Sequence, residues 1–331
     1  MVKTKRSLIV FALRKWTGQL LVWVAVWAVA PAAVFAQQTK IQVANRPMEA
    51  MVADPQTFAL WDGPAPGALG NDQNDRPTIT YYTPVYSTHT AIVVTPGGGY
   101  SFVATNHEGR QIANWLNSIG ISVFVVKYRV GPRYHHPIEL GDAQRGVRFV
   151  RAHAADFRIN PDHIGLMGFS AGGHLTASVA THFDPGNPSA PDPIDRVSCR
   201  PDFIVLGYPV ITLFQPYAHH GSVTSLLGDR PDPNLLRELS PELHVTSQTP
   251  PAFLVTTLED STVPPENTMD FYNALRKAGV PAELHVFEKG YHGYGLTAGE
   301  PKHEVWHLLL EDWLRQRGLL ANYELPPNPD K

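Results

Sequence analysis

Ser170 stands at the centre of Gly168-Phe169-Ser170-Ala171-Gly172, after the apolar run His163-Ile164-Gly165-Leu166-Met167 and before the helix-compatible Leu175-Thr176-Ala177-Ser178-Val179-Ala180. The pattern reads as strand, sharp turn, helix. Glycines on both sides of the serine carry no Cβ to collide with the strand and helix, so the hydroxyl projects from the sheet edge. The same turn sets the Ala171 N–H and the helix start beside that hydroxyl, where negative charge develops during acyl transfer. A serine hydroxyl is inert at neutral pH unless a base takes its proton, and the base needs an acid to orient it. Two downstream residues have the right types. Asp260 follows the strand-like Pro251-Ala252-Phe253-Leu254-Val255-Thr256-Thr257, and His292 lies in Gly290-Tyr291-His292-Gly293-Tyr294-Gly295. The chemistry these three would perform is covalent acyl transfer from an ester, with His292 as base and then acid. Glu259 competes with Asp260, because one residue of loop register decides which carboxylate meets the histidine.

The elements that must position these residues are legible as alternating strands and helices. Thr78–Tyr82 alternates as a half-buried strand, and Thr90-Ala91-Ile92-Val93-Val94-Thr95 is a β-branched run suited to the centre of a sheet. Pro96-Gly97-Gly98-Gly99-Tyr100 ends that run, and its glycines allow the backbone to turn N–H groups toward a ligand. Residues 107–119 carry Ile112, Trp115, Leu116 and Ile119 at helical spacing, with Gly120 as a stop. Residues 121–128 and 204–210 are further buried strands, 140–157 and 266–278 further helices, and Ala282–Phe287 the last strand. The final helix carries Trp306, Leu309, Leu310 and Trp313 on one face. Residues 37–76 are rich in Pro, Gly, Asn and Asp and read as a wrapping arm. The segment between 210 and 250 reads as loops and weak helices that would cover a site. The order of elements is α/β, with a mostly parallel sheet flanked by helices in a single domain.

Composition bounds the function. The chain has 331 residues, 43% hydrophobic and 10% aromatic, enough for a large core. Lys3, Lys5, Arg6, Arg14 and Lys15 precede the apolar run 20–30 and the small-residue end Val34-Phe35-Ala36, which predicts a signal peptide over residues 1–36 and an exported domain over 37–331. An uncleaved anchor is the other reading of that segment. Its removal leaves 22 basic against 30 acidic residues, a formal charge of −8. Such a surface offers no basic stripe for nucleic acid and disfavours anionic polymers such as pectate. Cys199 is the sole cysteine, so no intrachain disulfide is available. His135-His136 and His219-His220 lack zinc-ligand spacing and read as loop histidines. No metal, cofactor, nucleic-acid or membrane partner is expected of the mature domain.

Taken together, Pro96–Tyr100, His107-Glu108-Gly109, Lys127-Tyr128-Arg129, Asp142-Ala143-Gln144-Arg145, Gly168–His174, Tyr208-Pro209-Val210-Ile211, Asp260 with Val263-Pro264, and His292-Gly293-Tyr294-Gly295 resemble the bacterial exported α/β-hydrolases grouped with acetylxylan and other carbohydrate acetyl esterases. The resemblance covers nearly all of residues 37–331. It implies a triad of Ser170, Asp260 and His292, with Gly98, Gly99 and Ala171 supplying an oxyanion hole and no cofactor. This chain has Glu259-Asp260 where the family usually has two aspartates, and Tyr291 and Tyr294 where it usually has glycine and phenylalanine.

Deacetylation of plant polysaccharides or their oligosaccharides, such as acetylated xylan, is the function this reading favours. A broad short-chain carboxylesterase or feruloyl esterase is the rival. A peptidase of the prolyl-oligopeptidase type would need a propeller this chain lacks, and a non-catalytic binding protein of the same fold would commonly have lost its nucleophile or base. Tyr100, Tyr134, Tyr208, Tyr217, Tyr291 and Tyr294 fall on loops or strand ends that such a fold directs toward the nucleophile. A tyrosine offers a flat apolar face with a hydroxyl handle, so Tyr100 and Tyr294 are the expected sugar contacts.

Overall fold

The computed structural model describes residues 54–296 and 305–320. The leader expected over residues 1–36, the arm over 37–53 and the tail beyond 320 lie outside the described residues. Among the described residues, eight strands form one sheet in the order β1-β2-β4-β3-β5-β6-β7-β8. They are β1 (Gln56–Ala59), β2 (Thr78–Tyr82), β3 (Ala91–Thr95), β4 (Ser122–Lys127), β5 (Ile164–Phe169), β6 (Phe203–Gly207), β7 (Ala252–Thr257) and β8 (Ala282–Phe287). The pairs β1/β2 and β2/β4 are antiparallel, and every pair from β4 through β3 to β8 is parallel.

The parallel strands lie between two layers of helices, which is why β3, β5, β6 and β7 are buried along their whole length. The helices are α1 (Gln111–Ser118), α2 (Ile138–Ala152), α3 (Ser170–Thr181), α4 (His220–Leu227), α5 (Pro233–Glu238), α6 (Glu266–Lys277) and α7 (Trp306–Gln316). The alternation of strand residues sorts the core into two halves. On one face Val93, Phe124, Leu166, Ile204 and Leu254 pack with Val147, Leu175 and Phe271 from α2, α3 and α6. On the other, Ile92, Val94, Met167, Val205 and Phe253 pack with Ile112 and Leu116 from α1 and with Trp306, Leu310 and Trp313 from α7. Among the described residues no helix is long and apolar enough to cross a membrane.

Two expectations need correction. The arm reading of residues 37–76 fails at Gln56–Ala59, which pairs antiparallel with Thr78–Tyr81 as an edge strand, while residues 60–76 hold neither strand nor helix. The polar composition around it disguised a four-residue strand whose Phe58 ring packs against Phe149 and Phe157. The helix expected from residue 107 begins instead as a π-helical turn over Asn106–Arg110, and α1 proper starts at Gln111. The wide turn buries Glu108, which a continuous α-helical reading had left without a role.

Candidate active site

Strand β5 ends at Phe169 in extended conformation, and Ser170 turns the chain into α3 with φ at +52°. A side chain in that region is strained, and the flanking glycines show what holds it there. A Cβ on Gly168 would stand 2.1 Å from the Gly172 carbonyl oxygen, and one on Gly172 would stand 2.0 Å from the Thr95 carbonyl oxygen. Only glycine lets the turn close this tightly against β3 and α3.

His292 stands after β8 with Gly293 at φ +77° beside it, and its Nε2 lies 2.8 Å from Ser170 Oγ. Its Nδ1 lies 2.7 Å from Asp260 Oδ2. A carboxylate only accepts, so the proton sits on Nδ1 and the Nε2 lone pair faces the serine hydroxyl. Asp260 is itself fixed: Oδ1 accepts from the backbone N–H of Thr262 at 3.0 Å and of Val263 at 2.8 Å, and the side chain is wholly buried. The loop register that the sequence leaves open is therefore resolved in space. Glu259 turns outward to the Lys289 ammonium, 2.5 Å away, while Asp260 meets the histidine.

Facing this relay is the loop after β3. Gly97 O accepts from Ala104 N, and Gly98 O accepts from Ser101 and Phe102 N. Each of those carbonyls shares a peptide plane with the next N–H, so the Gly98 and Gly99 N–H groups point the opposite way. Both glycines line the same cavity as Ser170. Gly98 lies at φ +130°, and a Cβ there would stand 2.1 Å from the Phe102 carbonyl oxygen. Ala171 N, at the first turn of α3, is the third donor the sequence assigns to this place.

The loop is held by three polar anchors. Tyr128 donates to Pro96 O at 2.6 Å. Glu108, 2% exposed, accepts from Gly97 N on Oε2 at 2.7 Å and from the Tyr208 hydroxyl on Oε1 at 2.9 Å. The third anchor is Tyr100, whose hydroxyl lies 2.7 Å from His174 Nδ1. His174 Nε2 donates to Leu239 O at 2.7 Å, so Nδ1 is the acceptor and Tyr100 the donor. Burial holds His174 down to about 4, in keeping with a neutral ring.

These contacts correct the sugar-binding expectation. Tyr100 and Tyr294 are buried and neither lines the cavity, nor do Tyr134, Tyr208, Tyr217 and Tyr291. Tyr294 packs edge-on against Tyr208, with centroids 4.5 Å apart, and Tyr208 packs in turn against the His292 ring at 5.0 Å. Tyr134 bonds Asp75, Tyr217 bonds Asp270, and Tyr291 is exposed. Position near the nucleophile in sequence order put these tyrosines at the site. Tyr100, Tyr208 and Tyr294 instead pack beneath it, against His174, Glu108 and His292.

The cavity has a volume of about 370 Å³ and opens to solvent over Ser170 and His292. Its other walls come from Phe102, His107, Glu108, His219, Ser225 and Thr262. His219, set aside in the sequence as a loop histidine, caps α4: its Nδ1 accepts from Ser222 N at 3.2 Å. The ring proton is thus on Nε2, a donor on a residue that lines the cavity. Burial, and secondarily His292, holds the ring below the usual histidine range, which keeps it neutral.

Glu108 and His219 are among the site residues whose roles the sequence did not reveal, since a buried carboxylate and a capping histidine acquire them only through the π-turn and α4. Glu108→Gln would place an amide donor against the Gly97 N–H donor or deprive Tyr208 of its acceptor. Loss of one oxyanion donor costs about 10²- to 10³-fold, and partial misplacement of the loop is expected to lower kcat for an aryl acetate about 10- to 100-fold with little change in KM. Steady-state kinetics check this; an unchanged kcat removes Glu108 as a positioning residue.

Comparison with known proteins agrees with this geometry. The chain is 37% identical over 251 residues, 75% of its length, to an acetylxylan esterase of Xylanibacter ruminicola. It is 41% identical over 214 residues to endo-1,4-beta-xylanase B of Butyrivibrio fibrisolvens, 63% of this chain. It spans 50% and 33% of the lengths of these two curated relatives. A solved structure, an acetyl ester-xyloside bifunctional hydrolase from Caldicellulosiruptor lactoaceticus, is 45% identical with a TM-score of 0.75, covering 80% of this chain and 97% of that one. The BD-FAE family model matches residues 80–275, from β2 through α6, and the chain belongs to the BD-FAE family.

Proposed function

We propose that this protein is a serine esterase that removes acetyl groups from plant polysaccharides or oligosaccharides, acetylated xylan fragments above all. The observation that carries it is the continuous hydrogen-bonded relay from buried Asp260 through His292 to Ser170, opening into a small cavity.

In this reading Ser170 Oγ attacks the ester carbonyl carbon as His292 Nε2 takes its proton. The carbonyl oxygen, now anionic, accepts from the N–H groups of Ala171, Gly98 and Gly99, which are fixed before substrate arrives. Asp260 stabilises the imidazolium. The tetrahedral intermediate collapses by breaking the C–O bond to the sugar, whose oxygen receives the His292 proton. Water then attacks the acetyl-serine with His292 again as base, releasing acetate and restoring the serine hydroxyl. No cofactor takes part in any of these steps.

Two features support a short acyl group on a sugar. The cavity wall is made largely of glycine, serine, threonine and histidine, and Phe102 is the one large hydrophobic side chain among its described lining residues, so a long acyl chain meets no extended run of large apolar side chains. The neutral His219 Nε2–H offers a hydroxyl or ring oxygen a donor. Similarity to an acetylxylan esterase and to an acetyl ester-xyloside hydrolase supports the same substrate class. The leader read over residues 1–36 supports export to the periplasm or beyond, where such polymers or their fragments are met.

The test uses protein recovered after export, whose first residue is expected to be Gln37. On this material kcat/KM is compared across acetylated xylo-oligosaccharides, acetylated hexoses, aryl esters of increasing chain length and methyl ferulate. Acetylated sugars are expected to exceed octanoyl and longer esters. A maximum at C8 or beyond, or on ferulate, removes carbohydrate deacetylation while leaving the serine-esterase reading in place.

A further inference from the structure

His182, Glu238 and His244 come from three separate elements and converge on the side of the molecule where the C-terminus of α3 meets α5. His182 follows the last residue of α3, Glu238 ends α5, and His244 follows the short 3₁₀ turn Pro241–Leu243. One ligand atom from each side chain lies within 4.8 Å of the other two. The His182 and His244 rings are 4.9 Å apart, and His182 Nε2 is 3.7 Å from Glu238 Oε1.

The hydrogen bonds fix which ring nitrogens are free to ligate. His182 Nδ1 lies 3.2 Å from the Ser178 carbonyl and 3.0 Å from Thr181 Oγ1, whose own hydroxyl hydrogen goes to Ala177 O at 2.9 Å. Nδ1 therefore carries the proton, and Nε2 holds a lone pair. That Nε2 is buried and makes no hydrogen bond; at 3.7 Å the Glu238 carboxylate is beyond hydrogen-bond reach. His244 Nε2 donates to Arg237 O at 3.2 Å, which leaves its Nδ1 with the lone pair. A histidine whose other N–H is tied to a backbone carbonyl is the arrangement found behind metal-bound imidazoles.

We propose that His182, Glu238 and His244 form a binding site for a divalent transition-metal cation of the Zn²⁺ class, separate from the esterase centre. Two imidazoles and one carboxylate suit a borderline ion, and ligand distances of about 2.0 to 2.2 Å require the three donors to close by roughly an ångström. Glu238 is exposed and His182 and His244 half-buried, so side-chain rotation about an open edge suffices. Water would complete the coordination sphere.

The role is structural. The cation would clip the segment after α5 to the end of α3, the helix that begins at Ser170. The next residue in that segment, Leu239, accepts from His174, which anchors Tyr100 of the oxyanion loop. Spacing of 56 and 6 residues between the ligands matches no linear motif, which is why the sequence shows nothing here.

The experiment titrates Zn²⁺ into chelator-treated whole protein by calorimetry, with the thermal midpoint read in parallel, for wild type, His244→Ala, Glu238→Gln and His219→Ala. Expected are one saturable site in wild type with a raised midpoint, at least a tenfold loss of affinity in His244→Ala and Glu238→Gln, and retention in His219→Ala. Metal-free ester hydrolysis by His244→Ala and Glu238→Gln should match wild type. Absence of saturable binding overturns the proposal. So does binding that survives both ligand variants, or that is lost in His219→Ala, which would put the cation in the esterase cavity. If His244→Ala fails to fold, the exposed Glu238→Gln decides the question.

Discussion

Ser170→Ala is expected to lower kcat for aryl acetates by about 10⁴- to 10⁶-fold while leaving the thermal midpoint within a few degrees of wild type. Among the described residues that line the cavity, the Ser170 hydroxyl is the one group with a base 2.8 Å from it. Without it, the oxyanion donors and substrate contacts retain only the catalysis they provide by polarising the ester for water. The fold should not suffer. The turn is dictated by Gly168 and Gly172 and by the Ser170 carbonyl, which accepts from Val210 N at 3.0 Å. Alanine keeps that backbone bond, and removing Oγ opens no apolar cavity. His292→Ala should cost nearly as much, and the double variant little more than either alone, because nucleophile and base act as one unit. Single-turnover and steady-state assays with circular dichroism check each variant. Retention of a tenth of wild-type activity by Ser170→Ala would falsify its assignment as nucleophile.

What was legible in the sequence, and what was not, divides along a physical line. Strands β3, β5, β6 and β7 announce themselves because a strand buried on both faces is built mainly of apolar and β-branched residues, as Ala91–Thr95 and Ala252–Thr257 are. The Ser170 turn is legible because backbone closeness admits only glycine at 168 and 172. Strand β1 was hidden because a four-residue edge strand needs only one sided burial, met here by Phe58. The tyrosines were misassigned for a related reason. Chain order gives proximity to the nucleophile but not direction, and the Tyr100 and Tyr208 side chains, at φ +59° and +36°, are turned under the site to bond His174 and Glu108. Glu108 could have been suspected from one signal, a charged residue between His107 and Gly109 directly after the glycine loop. Its partners, Gly97 N and the Tyr208 hydroxyl, depend on tertiary contacts no local pattern encodes.

Asp260→Asn is expected to lower kcat by about 10³- to 10⁴-fold, and Glu259→Gln by less than about threefold. The contrast follows from which carboxylate meets His292. Asp260 Oδ2 accepts the Nδ1 proton at 2.7 Å, which presents the Nε2 lone pair to Ser170. In the asparagine variant, two backbone donors from Thr262 and Val263 hold Oδ1 in place, so the amide nitrogen is left facing the imidazole. An amide N–H donates, so Nδ1 must become the acceptor and the ring proton moves to Nε2, where it opposes the serine hydroxyl hydrogen. The base is thereby lost while shape is kept. Glu259 stands in a different relation: its carboxylate meets the exposed Lys289 ammonium and the Gly290 N–H at the far side of the loop. An ion pair this exposed is screened by water and supplies none of the charge that His292 sees at contact distance. Steady-state kinetics on both variants separate the roles. A severe loss in Glu259→Gln together with a mild one in Asp260→Asn would transfer the acid role to Glu259 and overturn the register on which the relay rests.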